Sequence, residues 1–181
     1  MRAKSSLLVT TTSRMLIRQF STDDVPELAL MLADPEVMRY SIRGVLTKEE
    51  TLDFVGWCMS LYATHGFGPW ALVEKGSATL VGFCGLSPEV IDEADELHVG
   101  YRLARRFWGR GFATEAVSAT LAYGFGTEQL PSIVAVIQPE HVASVRVAEK
   151  AGFRSFVATQ FHERSVRVYR KTLHEWSTKN A

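Results

Sequence analysis

The segment Arg105-Arg106-Phe107-Trp108-Gly109-Arg110-Gly111-Phe112-Ala113-Thr114 gathers three guanidinium groups around two glycines, just ahead of an expected helix. Glycine lets a backbone turn tightly and approach a ligand closely. The first N–H groups of the following helix have no partner inside it, and its dipole favours an anion at that end. Such a loop can hold a diphosphate; the plainer reading is a glycine turn with exposed arginines. A nucleoside triphosphate loop would need GxxxxGK followed by Ser or Thr, which is absent. A dinucleotide fingerprint would need a third glycine where Thr114 stands and a position near the start of the fold, whereas this motif follows several other elements. Upstream, Glu96 and His98 are two apart in an extended stretch and share one face, opposite Leu97, Val99, Tyr101 and Leu103. Ionisable groups in a central strand are costly unless solvated or functional, so the pair is either a hydrated strand end or a proton-transfer site.

The elements that must position these residues follow from periodicity. Arg14 to Phe20 alternates as a strand, and Ser21 and Thr22 offer N-caps for a helix burying Val25, Leu28, Ala29 and Leu32. Thr47 and Glu50 have capping-box spacing before a helix of Lys48 to Thr64. That helix is apolar almost all round, so it is either deeply buried or lines a groove or a subunit contact, and a homodimer through it is compatible with the pattern. Trp70 to Glu74 and Leu80 to Leu86 read as a hairpin. Glu96 to Leu103, the helix Gly111 to Phe125 and the strand Ser132 to Gln138 form a strand–helix–strand crossover, which implies a parallel pair. A helix of His141 to Ala151 closes at Gly152, and strands of about Arg154 to Gln160 and Ser165 to Thr172 end the chain antiparallel. The expected class is α+β: a mixed, mostly antiparallel sheet with one parallel pair near its middle and helices on both faces. Residues 1–12 read as a flexible tail, 13–176 as one domain and 177–181 as a second tail.

With 181 residues the chain has the size of one ordinary domain. Twenty basic residues balance twenty acidic ones, so no global field recruits nucleic acid or an anionic membrane. Cys58 and Cys84 stand in apolar contexts without zinc or disulfide spacing, and no residue cluster suggests a metal. Buried free thiols in a reducing compartment are expected. The basic N-terminus has only Leu7 to Val9 as an apolar run, too short for a signal-peptide core. The uncharged stretch Phe54 to Val73 is broken by His65, Gly66, Gly68 and Pro69 and does not read as a membrane span. A cytoplasmic location is expected.

The pattern Arg106-x-x-Gly109-x-Gly111, after a strand and opening a helix, resembles the acetyl-CoA loop of the GNAT acetyltransferase superfamily. Gly100-Tyr101, Trp108 to Gly111, Ala113-Thr114-Glu115-Ala116, Phe125, Ser144 and Glu149 to Phe153 narrow the resemblance to the Rim-type ribosomal-protein N-terminal acetyltransferases. Asp34-Pro35-Glu36-Val37 and Trp176 also fit, and the likeness runs over about residues 12 to 176. It implies that N–H groups around Gly109 to Thr114 cradle the pyrophosphate, with Arg105, Arg106 and Arg110 nearby. It further implies that the strand ending at Leu103 splays from Ile133–Ile137, with pantetheine in the gap pairing to Val99, Tyr101 and Leu103. The acetyl carbonyl would lie at a bulge at Val99–Gly100, where an N–H stabilises the developing oxyanion. Trp108, Phe112 and Phe125 are readable as ligand contacts, with core packing the stronger role for the two phenylalanines.

In this family an amine attacks the thioester directly, which requires a base for the ammonium and a donor to the leaving thiolate. Glu96 and His98 are the candidates for the base. The tyrosine that many members carry as donor falls at Ala148; in the Rim-type branch a serine of an N-x-x-S motif serves, and Ser144 matches it. The alternative for Ser144 is a first-turn hydroxyl bonded to the helix N-terminus. The motif's Asn is His141 here, and an imidazole cannot both donate and accept from one end as an amide does. The expected function is acetyl transfer from acetyl-CoA to the N-terminal amine of a protein or peptide. The alternatives are a small-molecule amine as acceptor, or a CoA-binding sensor module that lost the chemistry. Acceptor choice should depend on Met38–Lys48, the second helix and the 161–165 turn.

Overall fold

The computed structural model describes residues 7–180. Eight strands form one sheet in the order β1-β2-β3-β4-β5-β6-β8-β7. They are β1 (Leu8–Thr11), β2 (Met15–Arg18), β3 (Pro69–Glu74), β4 (Leu80–Ile91), β5 (Ala94–Leu103), β6 (Ser132–Ile137), β7 (Phe156–Phe161) and β8 (Arg164–Thr172). Every neighbouring pair is antiparallel except β5 and β6.

The two-residue period of a strand sends alternate side chains to opposite layers, and β3 shows the consequence. Trp70 and Leu72 pack with Met15, Ile17 and Leu103 beneath α4 (Phe112–Ala122), in a cluster that also takes Ala148 of α5 (Val142–Ala151). Ala71 and Val73 point the other way, to Leu28 and Leu32 of α1 (Val25–Leu32), Val37 of α2 (Pro35–Met38) and Val55 of α3 (Lys48–His65). A strand covered on both faces reads as a continuous apolar run. The capping box of α3 forms as its spacing requires: the Glu50 N–H donates to Thr47 Oγ1 and the Thr47 N–H to the Glu50 carboxylate, at 3.2 and 2.7 Å.

The parallel pair is barely a pair. β5 and β6 meet only where His98 lies opposite Val134. Beyond that point β6 continues in register with β8 through Ile137, and β5 with β4 through Leu103, so the two strands diverge and leave a cleft in the sheet.

Three expectations are corrected, and one choice between alternatives is settled in favour of a helix with an open side. Leu8–Thr11, placed in the N-terminal tail, pairs with β2 as an edge strand; residues 1–6 lie outside the described residues. The C-terminal tail from 177 continues α6 (Leu173–Asn180). The apolar helix α3 is not buried all round: Val55, Cys58 and Leu61 face the core while Leu52, Trp57 and Met59 are exposed. The bulge at Val99–Gly100 is not formed, because β4 and β5 stay in unbroken register from Gly82↔Leu103 to Ile91↔Ala94.

Ile133 is fully buried where β6 meets α4, beside the cleft. Ile133→Ala removes packed methylenes in a site hemmed by sheet and helix, and should destabilise the fold by about 2–5 kcal/mol. Urea unfolding should show a lower midpoint with an unchanged denaturant slope.

Candidate active site

The loop after β5 is built to present backbone donors. Gly109 and Gly111 adopt φ of +70° and +80°, a left-handed conformation that side chains with a Cβ resist. Gly111 is the N-cap of α4, and the first N–H bonded within the helix is that of Glu115, to the Gly111 carbonyl at 3.1 Å. The N–H groups of Phe112, Ala113 and Thr114 therefore precede the helical ladder and open toward the turn. Phe112 itself is buried, edge-on to Phe107, so only its main chain serves the loop. Phe125 is also buried, against Trp176.

The three loop arginines do not converge on the helix end. Arg105 lies 3.9 Å from Asp34, Arg106 3.0 Å from Glu27 and Arg110 3.5 Å from Glu74. Each is more than half exposed, and such surface pairs contribute about 0–1 kcal/mol, so an incoming anion can draw them away. The loop is anchored instead by Arg14, whose guanidinium donates to the Arg110 carbonyl at 2.7 Å and pairs with Glu115 at 2.7 Å. Partial burial disfavours the charge on Glu115, but the Thr12 hydroxyl, the Arg14 N–H and guanidinium and the Ser13 hydroxyl outweigh it and hold its pKa down at about 2.

Within the cleft, β5 turns alternate main-chain groups to each side. A Cβ on Gly82 of β4 would lie 2.0 Å from the Arg102 carbonyl, which therefore points at β4. By the strand's period, the main-chain groups of Val99, Tyr101 and Leu103 face the gap. Two of their carbonyls are met by side chains: Arg102 Nη1 donates to the Tyr101 carbonyl at 3.0 Å and Trp108 Nε1 to the Leu103 carbonyl at 2.7 Å. Trp108 thus supports the loop rather than reading as a free ligand contact.

A groove of about 430 Å³ passes through this gap, within the usual range for a small-molecule site. On the α5 side stand Tyr101 and Ser144, on the opposite side His98 and Arg102, with Tyr40 and Arg164 at the rim. The Tyr101 hydroxyl donates to Ser144 Oγ at 2.8 Å, and Ser144 Oγ lies 3.2 Å from His141 Nε2. The His141 ring stacks on Tyr40 with centroids 4.0 Å apart. Gln138 Nε2 donates to the Tyr40 carbonyl and the Tyr40 hydroxyl to the Glu140 carbonyl, each at 3.3 Å, so the segment after α2 is clamped onto the start of α5. Burial pushes Tyr101 up to about 12. Burial, aided by the Arg102 charge, pushes both His98 and His141 down to about 4. Both imidazoles are neutral at pH 7, and the phenol keeps its proton.

The two base candidates separate. His98 lines the groove at the one point where β5 and β6 pair. Glu96, two residues earlier, accepts from Nη1 and Nη2 of Arg170, whose Nη1 also donates to Ser132 Oγ at 3.0 Å. Tyr40, Gln138, Arg102 and the phenol of Tyr101 were not singled out from the sequence for these side-chain roles. Both cysteines are free and buried, and burial pushes the Cys84 thiol up to about 12. Among the described residues no cluster of three or more His, Cys, Asp or Glu could hold a metal, and no helix is long and apolar enough to cross a membrane.

A splayed parallel pair under a glycine-turned helix N-terminus defines an acetyltransferase of the GNAT class, and the chain belongs to that family: the acetyltransferase (GNAT) domain matches residues 14–154. Among individual proteins, it is 34% identical to the uncharacterised protein YkkB of Bacillus subtilis (strain 168), over 98% of this chain and 93% of that one. It is similar to the crystal structure of a GNAT-family acetyltransferase from Bacillus anthracis, at 29% identity and a TM-score of 0.78, covering 91% of this chain and 98% of that one. The ribosomal-protein-S5-alanine acetyltransferase of Vibrio fischeri shares the fold at 18% identity, with a TM-score of 0.71 over 92% of this chain and 97% of that one.

Glu115 ties the segment before β2 to α4, and its pH response should be visible. Its folded pKa of about 2 lies below the unfolded value, so the stability it contributes is present above the unfolded pKa and is lost as pH falls through the folded one. Glu115→Gln should lower the thermal midpoint at pH 7, and the gap to the parent protein should close progressively between about pH 4.5 and pH 2. Parallel melting curves across that range check it.

Proposed function

We propose that this protein moves the acetyl group of acetyl-CoA to a primary amine, and that the acceptor is the N-terminal amine of a peptide or protein. The observation that carries the reading is the Tyr101–Ser144 hydrogen bond inside the cleft between β5 and β6. Acetyl-CoA would supply an activated thioester. The residues that fit it are the N–H groups at the start of α4 for the pyrophosphate, and the main-chain groups of Val99, Tyr101 and Leu103 for the extended arm. The resemblance of the Ser144 motif and of Glu149 to Phe153 to the Rim-type branch supports a protein terminus as acceptor.

The chain's own groups then divide the proton work. Ser144 Oγ accepts from Tyr101, and its own proton goes to a departing thiolate when the His141 tautomer carries its hydrogen on Nε2 and donates to Ser144 as well. Tyr101 therefore supplies, through Ser144, the phenol that many relatives place where Ala148 stands. A phenol with a pKa of about 12 remains a donor throughout the working range. His98 lines the groove and is the group placed to take a proton from the attacking amine, directly or through water. A carboxylate bound nearby would raise its basicity from the low value that burial and Arg102 impose. Glu96 fits a different role, fixing β5 to β8 through Arg170.

Thiol release from acetyl-CoA with pooled N-terminal peptides and small amines tests the reading. Turnover is expected with one acceptor class. Ser144→Ala should lower kcat by about tenfold or more and Tyr101→Phe by about threefold or more, with CoA affinity by calorimetry unchanged in both. CoA binding without turnover of any amine would favour the sensor module, and absence of CoA binding would overturn both readings.

A further inference from the structure

Six arginines of this protein, each at least partly open to solvent, are paired with carboxylates. Others, such as Arg43 and Arg164, form no ion pair among the described residues, and Arg102 differs from those in being largely withdrawn from water. Arg14, Arg18, Arg105, Arg106, Arg110 and Arg170 each have an acidic partner within 4 Å. Arg102, in the groove, does not: among the described residues its guanidinium makes one hydrogen bond, to the Tyr101 carbonyl, and no ion pair. A guanidinium has five N–H donors, so most of them are left facing the cleft. This inverts the usual economy, in which the charge that loses most water is the one given a counter-charge.

The surroundings repeat the bias. Arg43 and Arg164 line the same groove, and the carboxylate among its lining residues is Glu89, which interacts with His162 at the β7–β8 turn. Arg102 lines the same groove as His98, His141 and Ser144, close enough for its charge to act on both imidazoles. It lies on the sheet face of His98, opposite the face of Tyr101, by strand alternation. The start of α4, which would take the pyrophosphate, belongs to the Tyr101 face, so the diphosphate does not explain Arg102.

We infer that Arg102 is the anion-binding residue of the acceptor subsite, and that the amine acetylated here carries a carboxylate close to its amino group. The inference rests on the acetyl-transfer reading above and narrows its substrate class. The carboxylate has two sources, the α-carboxylate of a free amino acid or the acidic side chain of a peptide's first residues. In either case it would take the counter-ion position beside Arg102 that the chain leaves open, and would hold the amine near His98. A polycationic acceptor meets repulsion in the same place.

The test uses the full chain, acetyl-CoA and two matched pairs of acceptors: leucine with leucinamide, and an amidated peptide beginning Asp-Ala with one beginning Asn-Ala. The carboxylate member of one pair should have a kcat/KM about tenfold or more above its neutral partner, as expected where a buried charge is otherwise left unpaired. Preference within the leucine pair names the α-carboxylate, and preference within the peptide pair names the acidic side chain. Arg102→Gln should collapse that ratio to within about twofold, through KM, and Arg102→Lys should restore part of it. Equal use of both members by the parent protein, or an Arg102→Gln variant that slows every acceptor alike, would overturn the inference while leaving acetyl transfer intact. Calorimetric binding of the same four compounds to the CoA-loaded chain reads the subsite without turnover. Charge-selective binding lost in Arg102→Gln would uphold Arg102 as the anion-binding residue of the subsite even where the acetyl-transfer reading failed; binding without charge preference would sink it.

Discussion

Everything functional in this fold follows from one missing set of hydrogen bonds. β5 and β6 touch once, at His98 and Val134, and then part. Buried backbone groups must be satisfied, so a sheet that opens in its middle has to fill the opening with something other than a strand. Two side chains of the same segment, Arg102 and Trp108, occupy the carbonyls of Tyr101 and Leu103. The remaining main-chain edge of β5 is left without a strand partner, which is where the proposed extended arm of acetyl-CoA would pair. The rest of the molecule holds this gap open: β4 locks β5 on one side over ten residue pairs, β8 locks β6 on the other, and α4 and α5 pack across the same face.

The gap also sets the electrostatics. A cleft through a sheet exposes side chains of both faces to one small volume, so groups that would never meet in a closed sheet act on each other. Tyr101 and Ser144 approach from the α5 side, His98 and Arg102 from the other. Desolvation keeps both histidines neutral and the phenol protonated, and the arginine charge pushes the histidines further the same way. A neutral imidazole can accept a proton and a protonated phenol can deliver one, which are the forms the proposed roles of His98 and Tyr101 require.

Much of the architecture was legible because it rests on local chemistry. The T-x-x-E box started α3, Gly152 with φ of +93° ended α5, and the two glycines before α4 marked a left-handed turn that few other residues adopt. The crossover from β5 through α4 to β6 followed from periodicity alone. What the sequence hid is tertiary. Tyr101 and Ser144 are 43 residues apart, and no spacing rule brings them together. Leu8–Thr11 is too short and too exposed to announce itself as a strand; its place depends on the free edge of β2. The positive charges of Arg105, Arg106 and Arg110 were visible, but not the three carboxylates from distant segments that engage them. Arg102 reads in sequence as an ordinary polar position of an alternating strand, and its isolation from carboxylates appears only in the folded groove.

His141 shows how a change of residue type can rewire a site without dismantling it. An amide at that position would offer a donor and an acceptor from one end. The imidazole instead reaches Ser144 with Nε2 while its face stacks on Tyr40. Tyr40 is in turn fastened to the residues flanking β6 through Gln138 and Glu140. A contact made by a ring edge to the proposed thiolate donor is thus joined, through the same ring's face, to the segment that rims the acceptor side. The planar imidazole serves both ends at once, its edge on Ser144 and its face on Tyr40, while burial and the nearby guanidinium hold its pKa down at about 4. In this arrangement the segment after α2 is joined to Ser144 through a single imidazole ring, so a shift of Tyr40 would be felt at the Ser144 hydroxyl.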